Sequence, residues 1–216
     1  MTHLYRLDCS APDMAARFGA RAGDDPWAGG YIAPVKFAPV VTAGRDFIAG
    51  PRPPGGSLQP RITPRLWGVE PPPGADDPTR RITHVRNPDS PFWIGNLRNS
   101  EFRCLIPATS FMVWGSEIDY EGRRLKHWFT PERPSGGPGI FAMAGVWKDE
   151  EVPGFAILTQ DPSGAARDAG CRAVPIILPS DNTAHQTWLH AGWDRARRLI
   201  ERPAPIALKE WSGEVP

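Results

Sequence analysis

Apolar residues in this chain occur in short runs, and stretches rich in proline and glycine separate them. Runs of strand length, with β-branched and aromatic residues, stand at 103–106, 111–114, 140–147, 155–159 and 174–178. Since 26 Pro and 22 Gly are spread through 216 residues, the regular elements must be short and their connections many. The pattern predicts an α+β fold, with a mostly antiparallel, partly closed and barrel-like sheet and short helices packed around it.

Helices are predicted where apolar spacing follows a residue that can cap a helix. Ser10 precedes a helix over 11–20, and Asp13 completes a capping-box pattern with it. Ser90 is a predicted N-cap for a short second helix that begins with proline. Asp181 precedes a third helix. All three are expected to pack on the sheet through a few apolar side chains.

The proline-rich and glycine-rich stretches are predicted to be loops within one domain. Residues 23–39 are expected to form an irregular surface loop, and 50–60 and 70–81 two further loops. A strand is predicted at 46–49. Because core strands on either side must pair across these loops, none of them is a domain linker, and we predict a single domain over residues 1–216.

The charge and the metal-binding residues exclude several classes of function. The net charge is only +1, so no global attraction to nucleic acid is expected. Arginine outnumbers lysine by 21 to 4, which suits phosphate binding, but a GC-rich genome produces the same bias. The five His and three Cys show no metal-ligand spacing, and no phosphate-binding glycine loop is present. We expect neither a metal nor another cofactor.

The sequence also bears on the cellular location. No stretch reaches the roughly 18 apolar residues of a membrane span, and the N-terminal residues lack the apolar core of a signal peptide. The cysteines are too few and too scattered for a disulfide framework. These features predict a cytoplasmic monomer with reduced thiols and no membrane partner.

The stretch 83–115 combines a strand, a short helix and two further strands, and it carries motifs of a known family. The blocks are LYRL at 4–7, the pair Trp67 and Gly68, THVRN followed by RCLIPATSF, and AVPIILP near the end, with FAMAGVW and FAILT between them. Together they resemble the SOS-response-associated peptidase family, known as SRAP, over most of the chain. The resemblance implies the SRAP fold and a relation to abasic-site processing in the SOS response to DNA damage.

The resemblance also implies a specific chemistry at residue 2. In that family, a cysteine directly after the initiator Met captures the aldehyde of an abasic site in single-stranded DNA with its α-amine and thiol. An α-amine with a pKa near ~8 is partly neutral and attacks an aldehyde, after which the thiol closes a five-membered ring. This chain has Thr2 at that position. The corresponding oxygen ring is expected to hydrolyse far more readily.

The three other family positions are also substituted. His84 replaces an asparagine, Val113 replaces a glutamate, and Gly170 replaces a histidine. Since all four chemical positions differ at once, the resemblance implies that the covalent chemistry is lost or strongly reduced. We expect no heat-stable crosslink from this protein, and we expect that recovery requires reversal of all four positions.

Several residues have both a functional and a structural interpretation. His84 is either a general base or a hydrogen-bonded strand histidine, and Cys171 is either a relocated thiol or a small buried side chain. Arg86 and Arg103 are candidate phosphate anchors, with structural ion pairing as the alternative. Trp67 is a candidate platform for a DNA base, with a core position as the alternative.

Three functional hypotheses follow from these residues. The first is an SRAP protein whose cleft faces single-stranded DNA and whose covalent chemistry is lost or reduced. The second is an active abasic-site-crosslinking or autoproteolytic enzyme, with a rearranged site built from Thr2, His84 and Cys171. The third is a protein-interaction module in which the cleft has closed.

Overall fold

The structure is a computed structural model of the chain. It describes residues 2–23, 26–44, 59–132, 139–203 and 206–210. None of the described helices is long and apolar enough to cross a membrane.

The described residues form twelve strands, five helices and one short 3₁₀ turn. The strands are β1 (Thr2–Leu7), β2 (Gly30–Ile32), β3 (Phe37–Thr42), β4 (Arg61–Trp67), β5 (His84–Val85), β6 (Arg103–Ala108), β7 (Ser110–Ile118), β8 (Arg124–Pro131), β9 (Phe141–Lys148), β10 (Gly154–Gln160), β11 (Val174–Pro175) and β12 (Leu208–Glu210). The helices are α1 (Ala11–Phe18), α2 (Pro91–Arg98), α3 (Gly164–Asp168), α4 (Asn182–His190) and α5 (Trp193–Glu201), and the 3₁₀ turn is Ser100–Phe102.

The strands form a closed barrel and an adjoining open sheet. Strands β4, β3, β6, β9 and β10 pair in that order, and β10 pairs with β4 again, which closes the ring. Only the β10 to β4 and β10 to β5 pairings are parallel among the described strand pairs. The second sheet has the order β12-β8-β7-β1-β2 and is antiparallel throughout. The predicted α+β class, with a mostly antiparallel and partly closed sheet, is confirmed.

The two sheets are joined where β6 continues into β7. Thr109, the residue between them, donates its backbone N–H to the Arg6 carbonyl at 2.7 Å and its hydroxyl to the same oxygen at 3.0 Å. All six residues of β6 are buried, so both faces of this strand of the barrel wall are packed against other parts of the protein. The RCLIP motif is therefore a core strand.

Ile106→Ala is expected to lower the free energy of unfolding by about 2–5 kcal/mol, because it leaves a cavity in the closely packed core. Ile106 is fully buried, and a Cβ on Gly145 would lie 2.6 Å from its Cδ1 atom. Ile177→Ala, on the neighbouring AVPIILP segment, is expected to cost a similar amount, since Ile177 is also buried. Urea denaturation measures both.

Ile118→Ala is the matched control, because that isoleucine is 65% exposed and its loss is expected to cost no more than about 0.5 kcal/mol. Equal denaturation midpoints for all three variants would contradict the placement of β6 and of the segment after β11 in the core.

The helices begin where the capping residues predict, with one difference in detail. The Ser10 hydroxyl accepts from the Asp13 N–H, and the Asp13 carboxylate accepts from Ser10 in return. Asp181 caps α4 by accepting from the Ala184 N–H at 2.8 Å. Ser90 has the extended backbone of an N-cap, but its side chain makes no capping hydrogen bond among the described residues.

The prediction of an irregular loop over 23–39 is wrong in part. Residues 30–32 form β2 beside β1, and β3 begins at Phe37 and pairs with both β4 and β6. Long-range pairing supplies the hydrogen-bond partners that the local Gly and Pro content does not indicate. The predicted strand 46–49 and nearly all of the predicted loop 50–60 lie outside the described residues.

Candidate functional site

The second sheet places Thr2, Val113 and His127 side by side across three strands, in what we call the Thr2 row. Thr2 of β1 lies opposite Val113 of β7, and Val113 lies opposite His127 of β8. Directly opposite residues direct their side chains to the same face, with Cα atoms roughly 4.5–5.5 Å apart, so Thr2 and His127 flank Val113 at about 10 Å from each other. Thr2 and Val113 are fully buried, and Val113 belongs to the hydrophobic core cluster, so this face is the inner one.

His84 lies beside the row and is uncharged at neutral pH. Its pKa is lowered to about 3, chiefly by burial and further by the positive charges of the amino terminus and His3, while a contact with the Thr2 backbone opposes the shift. Nδ1 lies 2.8 Å from the Thr83 hydroxyl, whereas Nε2 is buried and meets no hydrogen-bond partner among the described residues. The imidazole is thus both hydrogen-bonded to a neighbour and left with one unused nitrogen.

Gly170 lies against β7, because the Ser116 N–H donates to the Ala169 carbonyl at 3.1 Å. Its φ is +69°, and a Cβ there would lie 2.1 Å from the Ser116 Oγ atom. Few L-residues adopt this backbone conformation, and the space is already filled. Glycine is therefore required here by the structure, and the position cannot hold a catalytic side chain without a change at Ser116.

Cys171 is buried beside this loop. Burial is the main cause that raises the pKa of its thiol, and the negative charge of Glu210 adds to the rise, while the amino terminus opposes it. A raised pKa keeps the thiol protonated, which makes it a poor nucleophile.

The structure adds a histidine and a carboxylate that the sequence reasoning missed. His127 Nδ1 lies 2.8 Å from Glu210 Oε1, although the two residues are 83 positions apart. The pairing of β12 with β8 brings them together. The sequence signal was weak, because only the strand register shows that His127 faces Val113.

A second missed feature lies on the other side of β7. Trp114 follows Val113, so its side chain is on the opposite face of the strand. The exposed His3 ring stands edge-on to it at 6.1 Å between centroids, and the exposed Lys126 Nζ lies 5.6 Å from the indole centroid. An aromatic ring beside a lysine ammonium suits a nucleic-acid base and its phosphate.

Arg86 lies at the edge of a cleft of ≈ 330 Å³. Its guanidinium pairs with Asp161 at 2.7 Å and donates to the Arg172 carbonyl at 3.1 Å, while 56% of the side chain remains exposed. Two arginines and three carboxylates line this cleft: Arg86, Arg197, Asp89, Asp161 and Glu201. Arg86 is accessible to a phosphate, but the phosphate must compete with Asp161.

Arg103 and Trp67 are not accessible to DNA. Arg103 is fully buried, and its guanidinium donates to the carbonyls of three residues: Trp188, Leu97 and Ala191. Trp67 is also fully buried, and its indole N–H donates to the Thr83 carbonyl at 3.1 Å. Neither side chain can meet a phosphate or a base without leaving the core. Arg103 and Trp67 are therefore core residues and do not belong to the candidate DNA interface.

The fold and the site define a class of protein: an α+β barrel with an adjoining sheet, whose first strand carries residue 2 into a buried row with Val113. A family model described as "SOS response associated peptidase (SRAP)" matches residues 1–212. The chain belongs to the SRAP family.

Solved structures match the fold over nearly the whole chain. One is a phage-related protein from Bordetella bronchiseptica, with a TM-score of 0.68, 17% identity, and coverage of 99% of this chain and 95% of that one. Another is a protein from Bacteroides thetaiotaomicron, with a TM-score of 0.66, 16% identity, and coverage of 98% and 92%. No curated protein matches the chain. Identities this low support the fold alone.

Proposed function

We propose that this SRAP protein binds single-stranded DNA near the Thr2 row and that durable covalent capture of abasic sites is lost or strongly reduced. Family membership associates the protein with the response to DNA damage in general. The observation that carries the proposal is the content of the row: a hydroxyl at Thr2 lies beside an isopropyl group at Val113, where the resemblance implies a thiol and a carboxylate.

The chemistry of these groups supports a weak or reversible reaction. The Thr2 hydroxyl is a poorer ring-closing nucleophile than a thiol, and Val113 cannot transfer protons. Gly170 has no side chain and no space for one. His84 is neutral, so it cannot stabilise negative charge as an imidazolium. An adduct formed here is expected to revert on heating.

The DNA contacts that support binding are few. Arg86 offers a half-exposed guanidinium, and Trp114, on the face of β7 opposite to the Thr2 row, offers a ring flanked by His3 and Lys126. Affinity that depends on a few phosphate contacts falls with salt, by a slope of roughly 0.7 per contact for single strands. We therefore propose weak, salt-sensitive and sequence-tolerant binding.

Arg86→Ala is expected to weaken binding of a fluorescent single-stranded oligonucleotide about fivefold at low salt, because one phosphate contact worth about 1 kcal/mol is lost. The slope of log affinity against log salt is expected to fall by about 0.7. Fluorescence anisotropy across a salt series measures both quantities.

Arg123→Ala is the matched control, since it removes the same charge from an exposed arginine that pairs with Asp119 and Glu121 at a hairpin tip. Its affinity is expected to stay near that of the unmodified protein. The proposal fails if the unmodified protein does not bind at low salt, or if both arginine variants bind alike.

The rearranged-site hypothesis is a second candidate function. It is favoured by unused polar atoms around Val113: Thr2 Oγ1, His84 Nε2 and His127 Nε2 are all buried and lack hydrogen-bond partners among the described residues. Buried polar atoms of this kind often mark a ligand or reaction site. Intact-mass measurement after incubation with abasic DNA separates the two candidates, because an active protein gains the mass of the oligonucleotide.

A further inference from the structure

We propose that His127 and Glu210 form a proton-transfer pair that serves the addition of an amine at residue 2 to the aldehyde of abasic single-stranded DNA. The proposal rests on the proposed function, since it assumes that DNA is bound at this row. In this proposal, His127 on β8 supplies the imidazole that is absent at Gly170. Glu210 on β12 supplies the carboxylate that is absent at Val113.

The first argument is the hydrogen bond between the two side chains. Glu210 Oε1 lies 2.8 Å from His127 Nδ1. A carboxylate at this nitrogen places the imidazole proton on Nδ1, which leaves a lone pair on Nε2, and it stabilises the ring when Nε2 accepts a proton. The carboxylate is 58% exposed while the imidazole is only 13% exposed, so the acid reaches inward from the surface to orient a mostly buried base.

The second argument is the location of Nε2. This atom is buried and has no hydrogen-bond partner among the described residues. A Cβ on Gly115 would lie 2.5 Å from Nε2 and 2.7 Å from the Ala169 carbonyl oxygen. The imidazole edge therefore lies over Gly115 and beside the Ala169 to Gly170 peptide. An imidazole is thus present next to Gly170, the position where the family resemblance places a histidine, but it comes from another strand.

The third argument is the row itself. His127 is directly opposite Val113, and Thr2 is opposite Val113 on the other side. Residue 2 and His127 therefore lie on the two strands that flank β7, with a Cα separation of about 10 Å. A base of this kind acts through direct contact or through one water molecule.

The step balances without an oxidant or reductant. The amine nitrogen bonds to the aldehyde carbon, and His127 Nε2 takes one proton from this nitrogen and gives it to the aldehyde oxygen, which becomes a hydroxyl group. The imidazole then takes the second proton of the nitrogen and gives it to the hydroxyl group, which leaves as water, and a neutral imine remains. A neighbouring thiol or hydroxyl adds to the imine carbon, its proton moves to nitrogen, and the ring closes.

The test uses Thr2→Cys as the background, because a thiol turns the reversible adduct into a durable one. Mass spectrometry first confirms that Met1 has been removed, so that residue 2 carries the free amine. Thr2→Cys is expected to give a heat-stable crosslink with abasic single-stranded DNA, whereas the unmodified protein gives none. Adding His127→Gln is expected to slow crosslinking about 100-fold, since glutamine keeps a polar contact to Glu210 but transfers no proton.

Further variants separate proton transfer from folding. Adding Glu210→Gln, at a largely exposed site, is expected to lower the single-turnover rate at least about tenfold with an unchanged half-saturating DNA concentration. His190→Gln, on α4, is the matched control and is expected to leave the rate unchanged. Added imidazole is expected to restore part of the rate to His127→Gly, a result that a purely structural role does not produce.

The proposal is overturned if His127→Gln does not slow the Thr2→Cys crosslink, or if Thr2→Cys binds the DNA and forms no crosslink. If no single-stranded DNA binds, the proposed function fails, and the pair is tested with 2-deoxyribose, whose open-chain aldehyde needs no DNA contact. A slower mass adduct in His127→Gln then supports the pair, and an equal rate refutes it.

Discussion

Arg103→Met is expected to lower the free energy of unfolding by about 3–5 kcal/mol, because it leaves three buried carbonyls without a donor. Arg103 is fully buried, and it makes no ion pair with a described carboxylate. Burial lowers its pKa to about 10, so the guanidinium still carries its charge at neutral pH.

The charge is tolerated because two helices end at this side chain. Nη1 donates to Leu97 in the last turn of α2 at 2.9 Å, and Nε donates to Trp188 in the last turn of α4 at 2.5 Å. Nη2 donates to Ala191, the C-cap residue of α4. The last carbonyls of a helix lack intrahelical partners and carry partial negative charge, which suits a cation. The arginine of the RCLIP motif thus holds two helix ends on the barrel.

Unfolding in guanidinium chloride, monitored by circular dichroism, measures the loss of stability in Arg103→Met. Arg98→Met is the matched control, because Arg98 is exposed in the last turn of α2 and its loss is expected to cost no more than about 1 kcal/mol. Arg103→Lys is expected to remain clearly destabilised, since an ammonium cannot match the planar fork of donors. If Arg103→Met and Arg98→Met unfold at the same denaturant concentration, this account of the buried arginine is wrong.

Gly170→His is expected to destabilise the protein by about 2–4 kcal/mol, although it introduces the residue type that the resemblance implies at this position. About 1 kcal/mol or more comes from the left-handed backbone at φ +69°, and the rest from the overlap with Ser116, whose Oγ would lie 2.1 Å from the new Cβ. The variant is therefore expected to lose stability without supplying a well-placed imidazole.

Two further variants separate backbone strain from the steric overlap. Gly122→His is the matched control, because Gly122 has a similar φ of +76° and no heavy atom within 4 Å of the new Cβ. It is expected to cost only about 1 kcal/mol. Adding Ser116→Gly to Gly170→His is expected to recover at least about 1 kcal/mol, as a double-mutant cycle in urea measures. Equal costs at positions 170 and 122 would show that the overlap is relieved at no cost.

This clash changes the expectation that crosslinking requires reversal of all four family positions. A combination of reversals that includes Gly170→His is expected to give no crosslink unless Ser116 is changed as well. If His127 and Glu210 act as proposed, Thr2→Cys alone is sufficient for a crosslink, and reversal at position 170 is unnecessary.

Much of the fold was predictable from local patterns. The apolar runs at 103–106, 140–147 and 155–159 are buried strands because their side chains pack on both faces, and such runs need little context. The segment 23–39 was harder, since Gly and Pro favour turns locally and only pairing with β1 and β4 makes strands of its ends. Ser90 shows that a capping residue can take the right backbone conformation without making the bond.

The site was predictable only in part. The motifs indicated positions 2, 84, 113 and 170, and the structure brings Thr2 beside Val113 and His84. They also suggested Arg103 and Trp67 as DNA ligands, because a motif records the residue type and not the direction of its side chain. Burial decided against both.

The sequence by itself determined the family, the strand-rich class and the presence of a hydroxyl rather than a thiol at residue 2, because each depends on residue identity and on short-range order along the chain. Only the tertiary structure decided that Arg103 closes two helix ends, that Gly170 has no space for a side chain, and that His127 meets Glu210 across 83 positions. These facts depend on strand register and on contacts between distant segments. A shift of one residue in register would turn His127 to the other face of the sheet.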